Sequence, residues 1–192
     1  VAQAQNSIAG VLYGQGNLSE AAEWYGQALR TYQALGDQDR AADQQQHLAS
    51  VHADQGKLGE ARKDYEEAVK QYTNQSRKAT AKAALGWLLA QQGDLIGAAE
   101  CLQDAIGIFK QTGEKEQRAT SLCRLSQIYS DNLEVEPAKS SLATCIALAD
   151  ELGGPYVADA RFFQGHLLLI QGDLEGAWEA YQSARKIYED LG

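Results

Sequence analysis

The sequence contains no methionine, only two prolines and no long apolar run among its 192 residues. Proline disrupts a helix interior, so its scarcity leaves room for long helices. No stretch approaches the roughly 18 consecutive apolar residues of a membrane span, and the first residues are too polar for a signal peptide. Because the chain starts at Val1 and lacks methionine, we expect a segment excised or processed from a longer protein.

Basic residues are also few. The chain has 17 Lys and Arg against 26 Asp and Glu, a net charge of −9. Nucleic-acid-binding proteins display a basic stripe, so the charge argues against that class and favours a protein or peptide partner that is basic, neutral or apolar. The three cysteines are odd in number and scattered, which predicts reduced, mostly buried side chains, as in a cytoplasmic protein. They are Cys101, Cys123 and Cys145.

A short pattern does recur five times along the chain. Its clearest copy runs from Gly16 to Leu29, where a glycine turn leads into Ala21, Tyr25 and Ala28. The alanines that lead the five copies are residues 21, 61, 98, 138 and 177, in steps of 40, 37, 40 and 39. Residues at i, i+4 and i+7 share one helix face, so each copy predicts an amphipathic helix with a narrow packing stripe. A period in this range is typical of stacked repeats.

A second helix is predicted upstream of each copy. It carries a large residue, a small one, and a large one three positions later, as in Leu85, Gly86 and Leu89. The two patterns together form a helix hairpin that resembles the tetratricopeptide repeat (TPR) family. The repeats are longer than the usual unit of about 34 residues and lack its closing proline. In the fourth unit, Asp131-Asn132-Leu133 replaces the glycine turn, so this hairpin departs furthest from the pattern.

The resemblance implies an all-α fold, a right-handed superhelical solenoid of five TPR hairpins with about ten helices. We expect a single array over residues 1–192, with repeats 1–36, 37–76, 77–113, 114–153 and 154–192. The predicted helices are 2–14, 18–35, one capped by Asp37 that runs to 55, 58–72, 77–91, 95–111, 115–131, 135–151, 155–171 and 174–190.

Catalytic and metal-binding patterns are absent from the sequence. His47 and His52 are five residues apart, which places them on different helix faces, and His166 has no second histidine or cysteine nearby. Gly14-Gln15-Gly16 lacks the third glycine of a dinucleotide loop and does not follow a strand. The sequence therefore predicts neither an enzyme nor a cofactor or metal site.

In the TPR family, the first helix of each unit lines a concave groove that binds a protein or peptide. The resemblance implies that ten residues on these helices contact the partner. Three of them, Trp87, Arg124 and Phe162, are of types enriched at interface hot spots. The full set is Asn6, Tyr13, Gln46, His47, Ser50, Trp87, Arg124, Gln127, Phe162 and His166.

The TPR class that grips a terminal carboxylate uses two lysines, two asparagines and an arginine. Of the corresponding positions here only Arg124 matches, so that clamp is not predicted; the other four are Gln46, Ser50, Ala84 and Thr120.

Two alternatives to a peptide-binding scaffold stay open. One is a structural, oligomerisation or relay segment of a larger bacterial-type regulator, with self-association through the apolar C-terminal helix. That helix carries Trp178, Tyr181, Ile187 and Tyr188. The other is an enzyme whose catalytic residues the sequence does not reveal.

Overall fold

A computed structural model describes residues 1–192 and contains ten α-helices and no strand. The all-α fold and its helix order agree with the prediction. None of the helices combines the length and the apolar character needed to cross a membrane. The helices are α1 (Ala2–Gly14), α2 (Leu18–Ala34), α3 (Gln38–Asp54), α4 (Leu58–Gln71), α5 (Gln75–Gln91), α6 (Leu95–Thr112), α7 (Lys115–Asp131), α8 (Val135–Leu152), α9 (Pro155–Ile170) and α10 (Leu174–Leu191).

Short turns separate the helices and explain where they end. Gly16, Gly56, Gly93 and Gly172 each adopt a positive φ of 75–81°, the left-handed conformation that closes a helix C-terminus. Four helices then begin with a side-chain cap, in which an Asp or Asn oxygen accepts a hydrogen bond from the backbone N–H three residues on. The capping residues are Asp37, Asn74, Asp94 and Asp173.

The fourth hairpin turns without a glycine. Leu133 takes the left-handed conformation with a φ of 61° and is the one non-glycine residue that does so. Its turn is closed by the same backbone bonds as the glycine turns: the N–H of Leu133 bonds Ser130 O at 3.0 Å, and that of Glu134 bonds Tyr129 O at 2.8 Å. The unusual turn sequence therefore still makes the predicted hairpin, with a leucine in a strained position.

The chain divides into two compact units, Val1–Gln92 and Gly93–Gly192. In the first, α1 packs on α2 and α3 on α4, while α5 packs on α4. The alanines of the repeated stripe are fully buried there, so helices approach closely and the aromatic side chain fills the space between them. One such cluster contains Ala9, Ala21, Tyr25 and Val51.

The second unit packs α7 on α8 and α9 on α10, with α6 against α7 and α9 also against α7. In one of its clusters, Leu122 and Leu148 are buried beside small residues such as Ala119. The single five-repeat array stays a prediction. The third predicted repeat, 77–113, contains α5 from the first unit and α6 from the second.

The prediction that the cysteines are reduced was wrong for two of the three, although both of those are buried as predicted. Cys123 of α7 and Cys145 of α8 form a disulfide with a Cα–Cα distance of 5.5 Å, and Cys101 is the cysteine outside it. Both bonded residues are buried to 1% exposure, where the two helices of one hairpin face each other. Residues at facing positions of a hairpin are close enough for their sulfur atoms to bond. The sequence separation of 22 residues does not reveal that these two positions face each other.

Candidate functional site

The ten residues predicted to line the groove lie on the first helices of the hairpins. All are half-buried except Phe162, which is exposed. Six belong to the first unit, where α1, α3 and α5 carry Asn6, Tyr13, Gln46, His47, Ser50 and Trp87. Four belong to the second, where α7 and α9 carry Arg124, Gln127, Phe162 and His166.

The first unit contains an open cleft of about 210 Å³ between α1, α3, α4 and α5. The cleft brings together three of the predicted residues, Tyr13, Ser50 and Trp87. It also contains Asp54 and Tyr65, two polar residues that are not among the ten predicted ones. Aromatic and polar side chains from four helices thus converge on one small volume, the usual composition of a binding site.

One hydrogen bond in this cleft links α1 to α3. The hydroxyl of Tyr13 donates to Oδ2 of Asp54 at 2.5 Å. This bond, together with burial and the negative charge of Asp54, raises the pKa of Tyr13 to about 12. Tyr13 is therefore a neutral donor at pH 7 that holds the Asp54 carboxylate in place.

A second polar pair lies deeper in the cleft. Ser50 Oγ and Tyr65 Oη are 2.9 Å apart, which joins α3 to α4. Further along α3, the hydroxyl of Tyr72 lies 2.9 Å from Asp43 Oδ1 and 3.0 Å from Gln46 Oε1. Gln46 therefore has a partner within the protein, and its side chain is oriented by the buried tyrosine.

His47 and Asn6 differ from the cleft residues because each has one polar atom that is buried without a partner. His47 stacks on Tyr25 with ring centroids 4.9 Å apart, and its Nδ1 is buried and makes no hydrogen bond. Burial lowers the pKa of His47, an effect that the charge of Asp43 opposes. Oδ1 of Asn6 is also buried and unsatisfied. Both residues lie on the predicted helices, and their contact with a partner stays a prediction.

In the second unit the predicted residues form two kinds of contact. Phe162 of α9 keeps 48% of its surface exposed, and its ring centroid is 5.5 Å from those of Phe163 and Tyr181. Phe163 is the one that packs against the buried clusters. His166 Nε2 lies 2.9 Å from Asp131 Oδ1 and so ties α9 to the end of α7.

The remaining histidine, His52, and the exposed ion pairs link residues within the fold. His52 Nδ1 is 2.6 Å from Asp64 Oδ2, and Gln45 donates to the other Asp64 oxygen. No group of three or more histidine, cysteine, aspartate or glutamate side chains is arranged to hold a metal ion. Exposed pairs such as Arg62–Glu66 lie along single helices, where they have little effect on stability.

Solved structures share this fold at low sequence identity. BtubC (BKLC) from P. vanneervenii superposes with a TM-score of 0.84 at 20% identity, covering 96% of this chain and 78% of that one. The TPR-like repeats of a putative kinesin light chain from Podosopora anserina give 0.80 at 19% identity, with 98% and 95% covered. Aspartyl phosphate phosphatase F from Bacillus subtilis gives 0.81 at 10% identity, with 97% and 59% covered.

No curated protein matches the chain. The family model described as tetratricopeptide repeat matches residues 1–74 and 45–111, which is more than half of the sequence. The matched region contains three of the glycine turns, at Gly16, Gly56 and Gly93, and the whole of the first-unit cleft. The chain belongs to the tetratricopeptide repeat family.

Proposed function

We propose that the chain is a non-catalytic scaffold that binds an extended segment of a partner protein on the first helices of its hairpins. The cleft of the first unit is the observation that carries this proposal. Tyr13, Ser50 and Trp87 come from three successive first helices and line the same small volume. Repeat proteins of this kind use such surfaces to bind other proteins.

The composition of the surface supports an interface. Tryptophan, tyrosine and arginine are the residue types most enriched at hot spots. In the second unit we propose that Arg124, Gln127, Phe162 and His166 also contact the partner. The net charge of −9 favours a basic or neutral segment over an acidic one. We further propose that the five repeats over residues 1–192 form one array.

Selection of binders from a random displayed peptide library tests the proposal on the full chain. We expect enriched peptides whose binding weakens by about tenfold or more in Trp87→Ala, because tryptophan truncation at a hot spot removes about 2 kcal/mol or more. Trp178→Ala on α10 is the matched control, since Trp178 is 66% exposed, belongs to the second unit and does not line the cleft. Trp87→Phe keeps an aromatic ring if the alanine variant unfolds.

Two results would contradict a binding surface in the cleft. One is a library that yields no peptide enriched over background. The other is a set of peptides that bind the wild type and the folded Trp87 variants with equal affinity, which would place the ligand elsewhere.

One observation favours a second candidate, self-association through α10. Leu174 and Trp178 are four residues apart on one face of that helix and are 68% and 66% exposed. Adjacent exposed apolar side chains mark contact surfaces. Light scattering over a concentration series should show dimers that Leu174→Glu with Trp178→Glu dissociates. A chain that is monomeric throughout would exclude this candidate.

The cytoplasmic location stays a proposal. The disulfide between Cys123 and Cys145 removes the support that three reduced cysteines would have given it. Structural disulfides are typical of oxidising compartments. Fractionation of the source cells, with the thiol state trapped by alkylation, tests the location directly.

A further inference from the structure

We propose that the cleft of the first unit receives the side chain of one arginine of the bound segment. This inference rests on the proposed function, because it specifies which residue of a peptide partner the scaffold recognises. Three independent features of the cleft support it: its charge, its position at helix ends, and the nature of its walls.

The charge of the cleft is negative and uncompensated by its lining. Asp54 is the carboxylate among the lining residues, which include no lysine or arginine. Tyr13 occupies Oδ2 of that carboxylate, which leaves Oδ1 as an acceptor for a ligand. Because the hydroxyl of Tyr13 is neutral and donates, it fixes the carboxylate without cancelling its charge. A cationic group is therefore the complementary ligand.

Three helices end at this cleft. Tyr13, Asp54 and Gln91 line it, and they lie in the last turns of α1, α3 and α5. The C-terminus of a helix carries about half a negative charge, which stabilises a cation within the last turn. The three helix ends and the carboxylate thus act in the same direction.

The walls and the size of the cleft indicate a single side chain. Its volume of about 210 Å³ lies below the range of about 300–1,000 Å³ typical of pockets for whole small molecules. Ala53, Ala84 and Leu88 offer apolar surface for the methylene stem, while Tyr13 and Trp87 offer aromatic rings for the cation. Arginine fits better than lysine, because its planar group stacks on rings and reaches several acceptors at once.

The test uses the capped tripeptide acetyl-Gly-Arg-Gly-amide with the ¹⁵N-labelled full chain. Titration should shift the indole N–H resonance of Trp87, and the citrulline counterpart, a neutral isostere, should bind at least about tenfold more weakly. Asp54→Asn should weaken binding of the arginine tripeptide by a similar factor. Glu23→Gln, which removes one charge from an exposed position on α2, should leave the affinity unchanged.

Each outcome either supports or overturns the inference. Equal shifts with arginine and citrulline, equal or tighter binding of the lysine tripeptide, or no shift at all would overturn it. If Asp54→Asn changes the melting temperature, Trp87→Leu serves as the second cleft variant, and its binding is followed by the backbone amide resonances of the ¹⁵N-labelled chain. Longer peptides that bind through Trp87 while the arginine tripeptide perturbs nothing would overturn the arginine site and leave the proposed function standing.

Discussion

Gly165 of α9 lies directly against the ring of Tyr181 of α10, so closely that a Cβ atom at position 165 would be 2.8 Å from two ring carbons. That distance is well inside van der Waals contact. The helices of the last hairpin can therefore reach this separation only because residue 165 has no side chain. The aromatic residue of the repeated pattern and the small residue of the preceding helix are two halves of one contact.

Gly165→Ala should destabilise the chain by about 1–3 kcal/mol, because the added methyl group forces α9 and α10 apart. Gly107→Ala is the matched control, since a Cβ atom added at that position on α6 would meet no other atom within 4 Å. That control should instead stabilise by about 0.5–1 kcal/mol through helix propensity. Urea denaturation followed by circular dichroism measures the free energy of unfolding of both variants. Equal changes of the same sign would contradict the close contact between Gly165 and Tyr181.

Leu133→Gly should stabilise the second unit by about 0.5–1 kcal/mol. Leu133 is 75% exposed, so its side chain contributes little packing, while its positive φ is strained for a leucine. Gly172→Ala is the reverse control, because Gly172 has a φ of 81° in the equivalent turn of the last hairpin. The melting temperature should rise for Leu133→Gly and fall for Gly172→Ala. A lower melting temperature for Leu133→Gly would show that the leucine contributes more than the strain costs.

Tyr13 should titrate at a pH near 12, above the usual value of 10. A pKa that is raised on folding means that the neutral phenol is favoured in the folded state. Its stabilising effect is complete below pH 10 and is lost as the pH rises through 12. Asp54→Asn should bring the pKa of Tyr13 down, because the carboxylate charge and its hydrogen bond both raise it. Tyrosine-selective ¹³C NMR, with Tyr13→Phe for assignment, measures this; an unshifted wild-type value would contradict the Tyr13–Asp54 bond.

The oxidised chain should show one reactive thiol in denaturant, from Cys101, and three after reduction. Replacing Cys123 and Cys145 by serine should destabilise the chain by about 2–4 kcal/mol, mainly because the unfolded state loses a closed loop. Cys101→Ser is the control and should leave unfolding almost unchanged. Three thiols in the unreduced, air-exposed protein would contradict the disulfide.

The helix bounds were predictable because the residues that form each turn are adjacent in the sequence. Glycines at positive φ and aspartate caps fix the ends of most helices within a residue or two. The predicted start of α5 at 77 was late, since the helix begins at Gln75. No glycine marks this turn. It is held instead by Asn74, which caps the helix, and by Asp39, which accepts hydrogen bonds from the backbone and hydroxyl of Thr73.

The cleft was only partly predictable because it depends on register between helices far apart in sequence. The place of Tyr13 on a first helix predicts that it lines the groove. Its partner Asp54 is 41 residues away, close to one repeat length. A search for polar residues one period apart would have found the pair. The disulfide depends likewise on which residues of α7 and α8 face each other, and that register is not contained in the spacing of the cysteines.

The disulfide also changes how the chain would respond to a pulling force. A repeat protein held at its two ends extends as its hairpins unravel, and each residue released adds about 3.5 Å of length. Cys123 and Cys145 are 22 residues apart, and the disulfide keeps their Cα atoms at 5.5 Å. The chain between them therefore cannot contribute about 70 Å of extension until the bond is reduced. Reduction would therefore increase the maximum length of the stretched molecule, and a force–extension trace would show one added step.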